Sequence, residues 1–214
     1  MSKERFHSRL KESFFPRLRA AGFTGSGQNF RRVRGDVIHA INIQGDKYGD
    51  GCAVNLGIHL RFLPVTWSDS LPDFSKFKEI DCEFRKRLSP EDGTDNWWKY
   101  ETVDISPEES ADSLAEAYFA YGAPFFENYS SSPAILSVLN AVDFTHDITA
   151  FPLGQKTRAR AALTAARMYA HAGDRAACRR FATIGLAHLG KVSSLKDELE
   201  YLAKEGTSPR TAPV

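Results

Sequence analysis

Residues 37–60, VIHAINIQGDKYGDGCAVNLGIHL, decide the fold. Val37, His39, Ile41 and Ile43 alternate with Ile38, Ala40, Asn42 and Gln44. After the glycine-rich loop at 45–51, Cys52, Val54, Leu56, Ile58 and Leu60 alternate with Ala53, Asn55, Gly57 and His59. Side chains of a strand point to opposite faces in turn, so a period of two marks a strand with one apolar face. A short polar loop between two such runs predicts an antiparallel pair. A further short strand over 30–34, followed by the turn Gly35-Asp36, extends the pair to a meander.

Upstream, the period changes to that of a helix. Phe6, Leu10, Phe14 and Leu18 recur every four residues, predicting one amphipathic helix over about 3–21. Ser2 is expected to cap it and Gly22-Phe23 to end it, while Pro16 should kink or split it. The stretch GFTGSGQNF, 22–30, has no preceding strand and no following helix and reads as a loop rather than a phosphate cradle.

Downstream, residues 64–79 form a long connection with two prolines. A fourth strand is expected over 82–88, with Cys82, Phe84 and Leu88 on one face and Glu83, Arg85 and Arg87 on the other. A turn-rich loop at 89–96 leads to a fifth strand over 97–105. The rest reads as helix. Ser106-Pro107-Glu108-Glu109 offers an N-cap, a proline at the first helical position and a glutamate at the third. Ser132-Pro133 opens another helix, and alanine-rich helices over 155–172 and 174–189 are divided by Gly173-Asp174. A last helix is expected over about 193–204.

The fold class is therefore α+β: a mainly antiparallel sheet of about five strands, covered by an N-terminal helix and followed by a helical C-terminal extension. The expected organisation is a core domain over 1–130, a helical extension over 131–205 with a tetratricopeptide-like hairpin, and a flexible tail over 206–214.

Composition narrows the function classes. No apolar run approaches the ~20 residues of a membrane span. The first residues mix charges into apolar positions, unlike a secretory signal. Three widely spaced cysteines suit a reducing cytoplasm. The net charge of +1 hides segregation. Residues 1–35 carry nine bases against two acids, and residues 36–130 carry eight against eighteen. Such blocks either present a charged surface to a partner or neutralise one another in the fold. The basic clusters are too short for a nucleic-acid arm.

The first 130 residues resemble a bacterial family catalogued as domain of unknown function 4304. The features occur in order: Ala21-Gly22-Phe23, Phe30-Arg31-Arg32, Ile41-Asn42-Ile43-Gln44 with Lys47, and Val54-Asn55-Leu56-Gly57-Ile58. The stretch 82–88 with Arg85 and Arg87 follows, then Asp95 before Trp97-Trp98, and finally 122–126. The resemblance implies an α+β fold and names no activity or cofactor. Its members look like small proteins found near toxin and defence genes, which implies an immunity or partner-binding role.

Asn42 and Gln44 share a face, as do Asn55 and His59, and together they predict a polar patch opposite the core. Gly57 between them would let a ligand approach the sheet. Lys47 on the following loop joins the binding candidates. Trp97 and Trp98 should point to opposite faces, one into the core and one free for an interface. Catalytic motifs are lacking: no GxSxG elbow, no paired histidines at metal-ligand spacing and no CxxC. No cofactor and no metal ligand is expected. The leading expectation is a non-enzymatic cytoplasmic binding protein with a protein partner, immunity- or defence-associated. The alternative is a metal-dependent nuclease or other hydrolase with a site on the sheet, drawing on Asp36, Asp46, Glu83 and Lys86.

Overall fold

A computed structural model describes residues 2–65, 70–90, 95–141, 144, 151–154, 156–190 and 194–208. Of the segments expected above, 66–69, 91–94, 155, 193 and the tail from 209 onward lie outside the described residues. The chain divides into two compact units, 1–131 and 132–214.

The first unit opens with helix α1 (Ser2–Arg9), a π-helical turn (Leu10–Phe14) and helix α2 (Phe15–Ala20). The stripe Phe6, Leu10, Phe14 and Leu18 is fully buried. At 3.6 residues per turn, steps of four drift by about 40° each and would carry the stripe off the core. The wider π turn resets the phase, and Phe15 N–H closes it onto the Leu10 carbonyl. Pro16 follows at once, where its missing N–H and bulky ring fit the widened turn. The same device recurs after α3 (Pro107–Ala117): a π turn at Tyr118–Gly122, then Pro124 inside α4 (Ala123–Asn128). Ser2 lies inside α1 rather than before it, and its hydroxyl donates to the Glu101 carboxylate. The expected cap is therefore replaced by a tertiary bond. At the other end Gly22 takes φ +85°, Gly22 N–H bonds Arg19 O and Phe23 N–H bonds Leu18 O. This is the Schellman pattern expected of Gly22-Phe23.

Six strands follow: β1 (Thr24–Ser26), β2 (Asn29–Arg34), β3 (Val37–Gly45), β4 (Gly51–Leu60), β5 (Phe84–Arg87) and β6 (Trp98–Lys99). The order is β1-β2-β3-β4-β5, with β6 beside the start of β4, and every pairing is antiparallel. Two expectations are corrected here. The expected loop at 22–30 instead holds a hairpin, with Thr24–Ser26 paired to Asn29–Arg31 around a turn where Gly27 takes φ +61°. The fifth strand shrinks to Trp98–Lys99, because Thr102 N–H turns back to Ile105 O and ends the ladder.

Register in the central hairpin sets Ile41 opposite Leu56, Asn42 opposite Asn55 and Ile43 opposite Val54. Ile41, Ile43, Val54, Leu56 and Ile58 are buried as the alternation requires. Their face is covered by both helical segments, α1–α2 and α3–α4. Phe15 meets Phe30 at 4.7 Å, Phe14 meets Tyr118 at 5.2 Å, and Phe126 stacks on His39 at 4.7 Å. The charge blocks meet along this helix pair. Arg5 forks onto Glu108 at 2.9 and 2.8 Å, and one turn on Arg9 forks onto Asp112 with two bonds of 2.8 Å. The basic N-terminus and the acidic helix thus neutralise one another along this contact.

In the second unit, α5 spans Ser132–Ala141, α6 Arg158–Ala172, α7 Arg175–Ala187 and α8 Lys196–Glu205. Gly173 at φ +79° ends α6, and Asp174 caps α7 by accepting from Ala177 N–H at 2.9 Å. Buried Ala162, Ala166 and Ala182 contribute little bulk, and Tyr169 stacks on Phe181 at 5.4 Å. Helix α8 joins the pair through Arg167, which forks onto Glu198 at 2.8 and 2.5 Å. No helix among the described residues is long and apolar enough to cross a membrane.

Candidate functional site

The outer face of the sheet is divided in two. Over its lower half the connection after β4 folds back, and Phe77 and Cys82 pack with Ile38 and Ala40. This corrects three expectations. Cys82 does not share a face with Phe84; it precedes β5, where strand parity does not apply, and lies over Gly57. Gly57 therefore leaves room for the Cys82 thiol rather than for a ligand. His59 is completely buried, its Nδ1 accepting from Glu83 N–H at 3.0 Å and its Nε2 lying 3.1 Å from Leu63 O. Both ring nitrogens serve the packing of the connection, so His59 leaves the expected patch.

The upper half stays open. A cleft of about 370 Å³ is lined by Asn29, Asn42, Gln44, Asn55, Lys78, Glu79, Ile80 and Arg85. Its floor follows from register. Asn29 pairs with Asn42, Asn42 with Asn55, and Asn55 with Arg87, so these four side chains form one row across β2, β3, β4 and β5. With neighbouring strands ~4.8 Å apart, the row is about 14 Å long.

The row has a fixed direction. Arg87 Nη1 donates to Gln44 Oε1 at 3.3 Å, and a guanidinium can only donate. Gln44 must therefore turn its oxygen inward. Asn55 Nδ2 then donates to that oxygen at 3.0 Å and to Asn42 Oδ1 at 3.2 Å. Asn42 Nδ2 in turn donates to Asn29 Oδ1 at 3.0 Å. One cation at the end of the row orients every amide beyond it.

Around this floor, Arg85 holds the buried Glu79 carboxylate at 2.6 Å. Arg87 is braced by Asp95 at 2.7 Å and lies against the Trp97 ring at 5.2 Å, and Trp97 Nε1 donates to Asp95 at 3.2 Å. Trp97 is partly exposed at this rim, whereas Trp98 is buried opposite Cys52. Tyr100 is buried against Phe6. Lys47 sits on the β3–β4 loop, with its ammonium 4.7 Å from the Tyr48 ring centre, and does not line the cleft. Of the expected site, Asn42, Gln44 and Asn55 are brought together, and Trp97 stands at the edge through Arg87.

Asn29, Lys78, Glu79, Ile80 and Arg85 complete the lining without having been singled out for it. Arg85 carried a usable signal, since its parity on β5 already set it opposite Phe84. Asn29 gives no such signal, because the β pattern becomes readable only from Phe30, one residue inside β2. Lys78 and Glu79 belong to a connection without periodicity.

On the core face, Arg32 forms a second polar cluster. Its Nη2 lies 3.0 Å from His39 Nδ1 and 3.2 Å from Glu127 Oε1. Because Arg32 only donates, Nδ1 is the acceptor and the imidazole proton sits on Nε2, 3.4 Å from Tyr129 O. Burial, then the Arg32 charge, push His39 down to about 4. His39 is a neutral structural residue. Among the described residues no three His, Cys, Asp or Glu side chains converge as a metal site. Asp36, Asp46 and Glu83 form no such group.

No curated protein and no solved structure matches the chain. The model of one family, described as a domain of unknown function, DUF4304, matches residues 14–128, which take in α2, α3, α4, the whole sheet and the cleft but not α1. The chain belongs to the DUF4304 family.

Proposed function

We propose that this is a non-enzymatic binding protein that engages a protein partner through the open half of its sheet. The observation that carries the reading is the lining of the cleft. Three asparagines and a glutamine are held in one orientation by each other, and the one carboxylate among them is tied to Arg85. Such a surface supplies directed hydrogen bonds but no activated nucleophile and no base free to take a proton. Trp97 at the rim adds an aromatic of the type that anchors interfaces. The immunity- or defence-associated role follows the implication of the resemblance noted on the sequence. A cytoplasmic setting suits the free, buried thiols of Cys52, Cys82 and Cys178. Capture from host cells at physiological salt tests the reading. The full chain should retain a partner that Asn42→Ala/Asn55→Ala loses. Recovery of no reproducible partner would defeat it.

A further inference from the structure

Hydrogen-bonding capacity in the cleft is used unevenly. Asn55 Nδ2 commits both hydrogens, to Asn42 and to Gln44. Asn42 commits one hydrogen to Asn29 and its oxygen to Asn55. Asn29 gives up its oxygen alone, and Gln44 uses its oxygen twice, for Asn55 and Arg87. Each primary amide has two N–H donors. Among the described residues, both hydrogens of Asn29, both of Gln44 and one of Asn42 are therefore left over, whereas only the Asn55 oxygen is wholly unengaged. The polarity imposed by Arg87 makes the open floor a donor surface.

The charges above it agree. Lys78 and Arg85 face one carboxylate, Glu79, whose two oxygens already meet Arg85 at 2.6 and 3.5 Å. The lining is thus weakly cationic and rich in neutral donors. A phosphate, with close to two negative charges, or a nucleic-acid backbone would call for more positive charge. Carboxylates interspersed with neutral carbonyl oxygens suit the site better.

We propose that the cleft binds an acidic, carboxylate-bearing segment of the protein partner. This rests on the binding-protein reading and adds the chemistry of what is bound. The free amide hydrogens of Asn29, Asn42 and Gln44 meet carboxylate and carbonyl oxygens, while Lys78 and Arg85 offset the charge.

Asn29→Asp/Gln44→Glu tests it directly. In each substitution an oxygen accepts where the amide oxygen accepted, so every bond within the row survives, while the outward donors give way to acceptors that carry negative charge. The full chain, labelled with ¹⁵N, is titrated with hexaglutamate, hexaserine, hexalysine and inorganic phosphate while the side-chain NH₂ signals are followed. Hexaglutamate should move the Asn29, Asn42 and Gln44 signals and bind the double variant at least tenfold more weakly. Lys78→Glu, on the exposed rim, should weaken it in the same direction even if the double variant does not fold. Unchanged affinity in a folded variant overturns the proposal, as does silence of these signals with hexaglutamate. Equal or tighter binding of phosphate overturns it in favour of a free-anion site. Equal or tighter response to hexaserine or hexalysine overturns the ligand class while leaving a binding surface in place. The partner-capture experiment decides the broader reading separately.

Discussion

Gly57 lies directly beneath Cys82, and a methyl group on Gly57 would sit 2.6 Å from the Cys82 sulfur and 3.0 Å from its Cβ. The Glu79 stem would be 3.2 Å away. The connection that seals half of the sheet can approach only because this position has no side chain. Gly57→Ala should destabilise the protein by about 1–3 kcal/mol, the usual cost of overpacking. Urea unfolding would show it, and Cys82→Ala in the same chain should recover part of the loss because the two sites share one contact. An unaffected midpoint for Gly57→Ala would mean that the connection does not lie over β4.

Leu56 and Asn55 are neighbours in sequence on opposite faces. Leu56 is 2 % exposed among core side chains, whereas Asn55 is half-buried with two amide bonds. Leu56→Ala should cost about 2–5 kcal/mol. Asn55→Ala should cost roughly 1 kcal/mol, since water can replace its partners at an open cleft. Equal losses in denaturant midpoints would place both residues in closed cores.

The contrast between these two residues explains what was legible in the sequence. In 41–44 and 53–56 large apolar residues alternate with small or polar ones, so the face of each side chain followed from the pattern, and with it Asn42, Gln44 and Asn55. Parity holds only inside a strand, which is why Cys82, two residues before β5, was given the wrong face. His59 was given the right face, but alternation cannot say which part of a face a distant connection will cover. The π turns were hidden because their cause is shared between a stripe spaced at four and a proline, and Pro16 alone suggested only a kink. The direction of the amide row was equally invisible, since it depends on Arg87 arriving from a strand far along the chain.

His39 should make stability depend on pH. Its folded value is about 4, against an ordinary value of 6.5, because burial opposes the charged ring. The unfolded chain therefore takes up a proton that the folded protein refuses. The stabilisation is complete above the unfolded value and is lost as pH falls from about 6.5 to 4, for a total of roughly 3 kcal/mol. Chemical denaturation at a series of pH values should show this slope, and His39→Gln should flatten it. An imidazole signal of His39 titrating near 6.5 in the folded protein would contradict the assignment.

Arg87 is the residue whose chemistry directs the row. Arg87→Glu replaces a group that can only donate with an ionised one that can only accept. Gln44 should then turn its nitrogen toward the new carboxylate, and Asn55 must answer with its oxygen. That same oxygen faces Asn42, so Asn42 turns over, and Asn29 follows, leaving its oxygen pointing outward. A single charge reversal at β5 is expected to convert the far end of the cleft, on β2, from donor to acceptor. Two measurements read this out. The Asn29 side-chain hydrogens, free in the native protein, should exchange more slowly with solvent once one of them bonds Asn42. Preference among the charged hexapeptides should also shift away from hexaglutamate by more than Lys78→Glu achieves, because the reversal changes floor and charge together. If Arg87→Glu leaves Asn29 exchange unchanged, the row is not coupled from end to end, and each amide is set by its own strand.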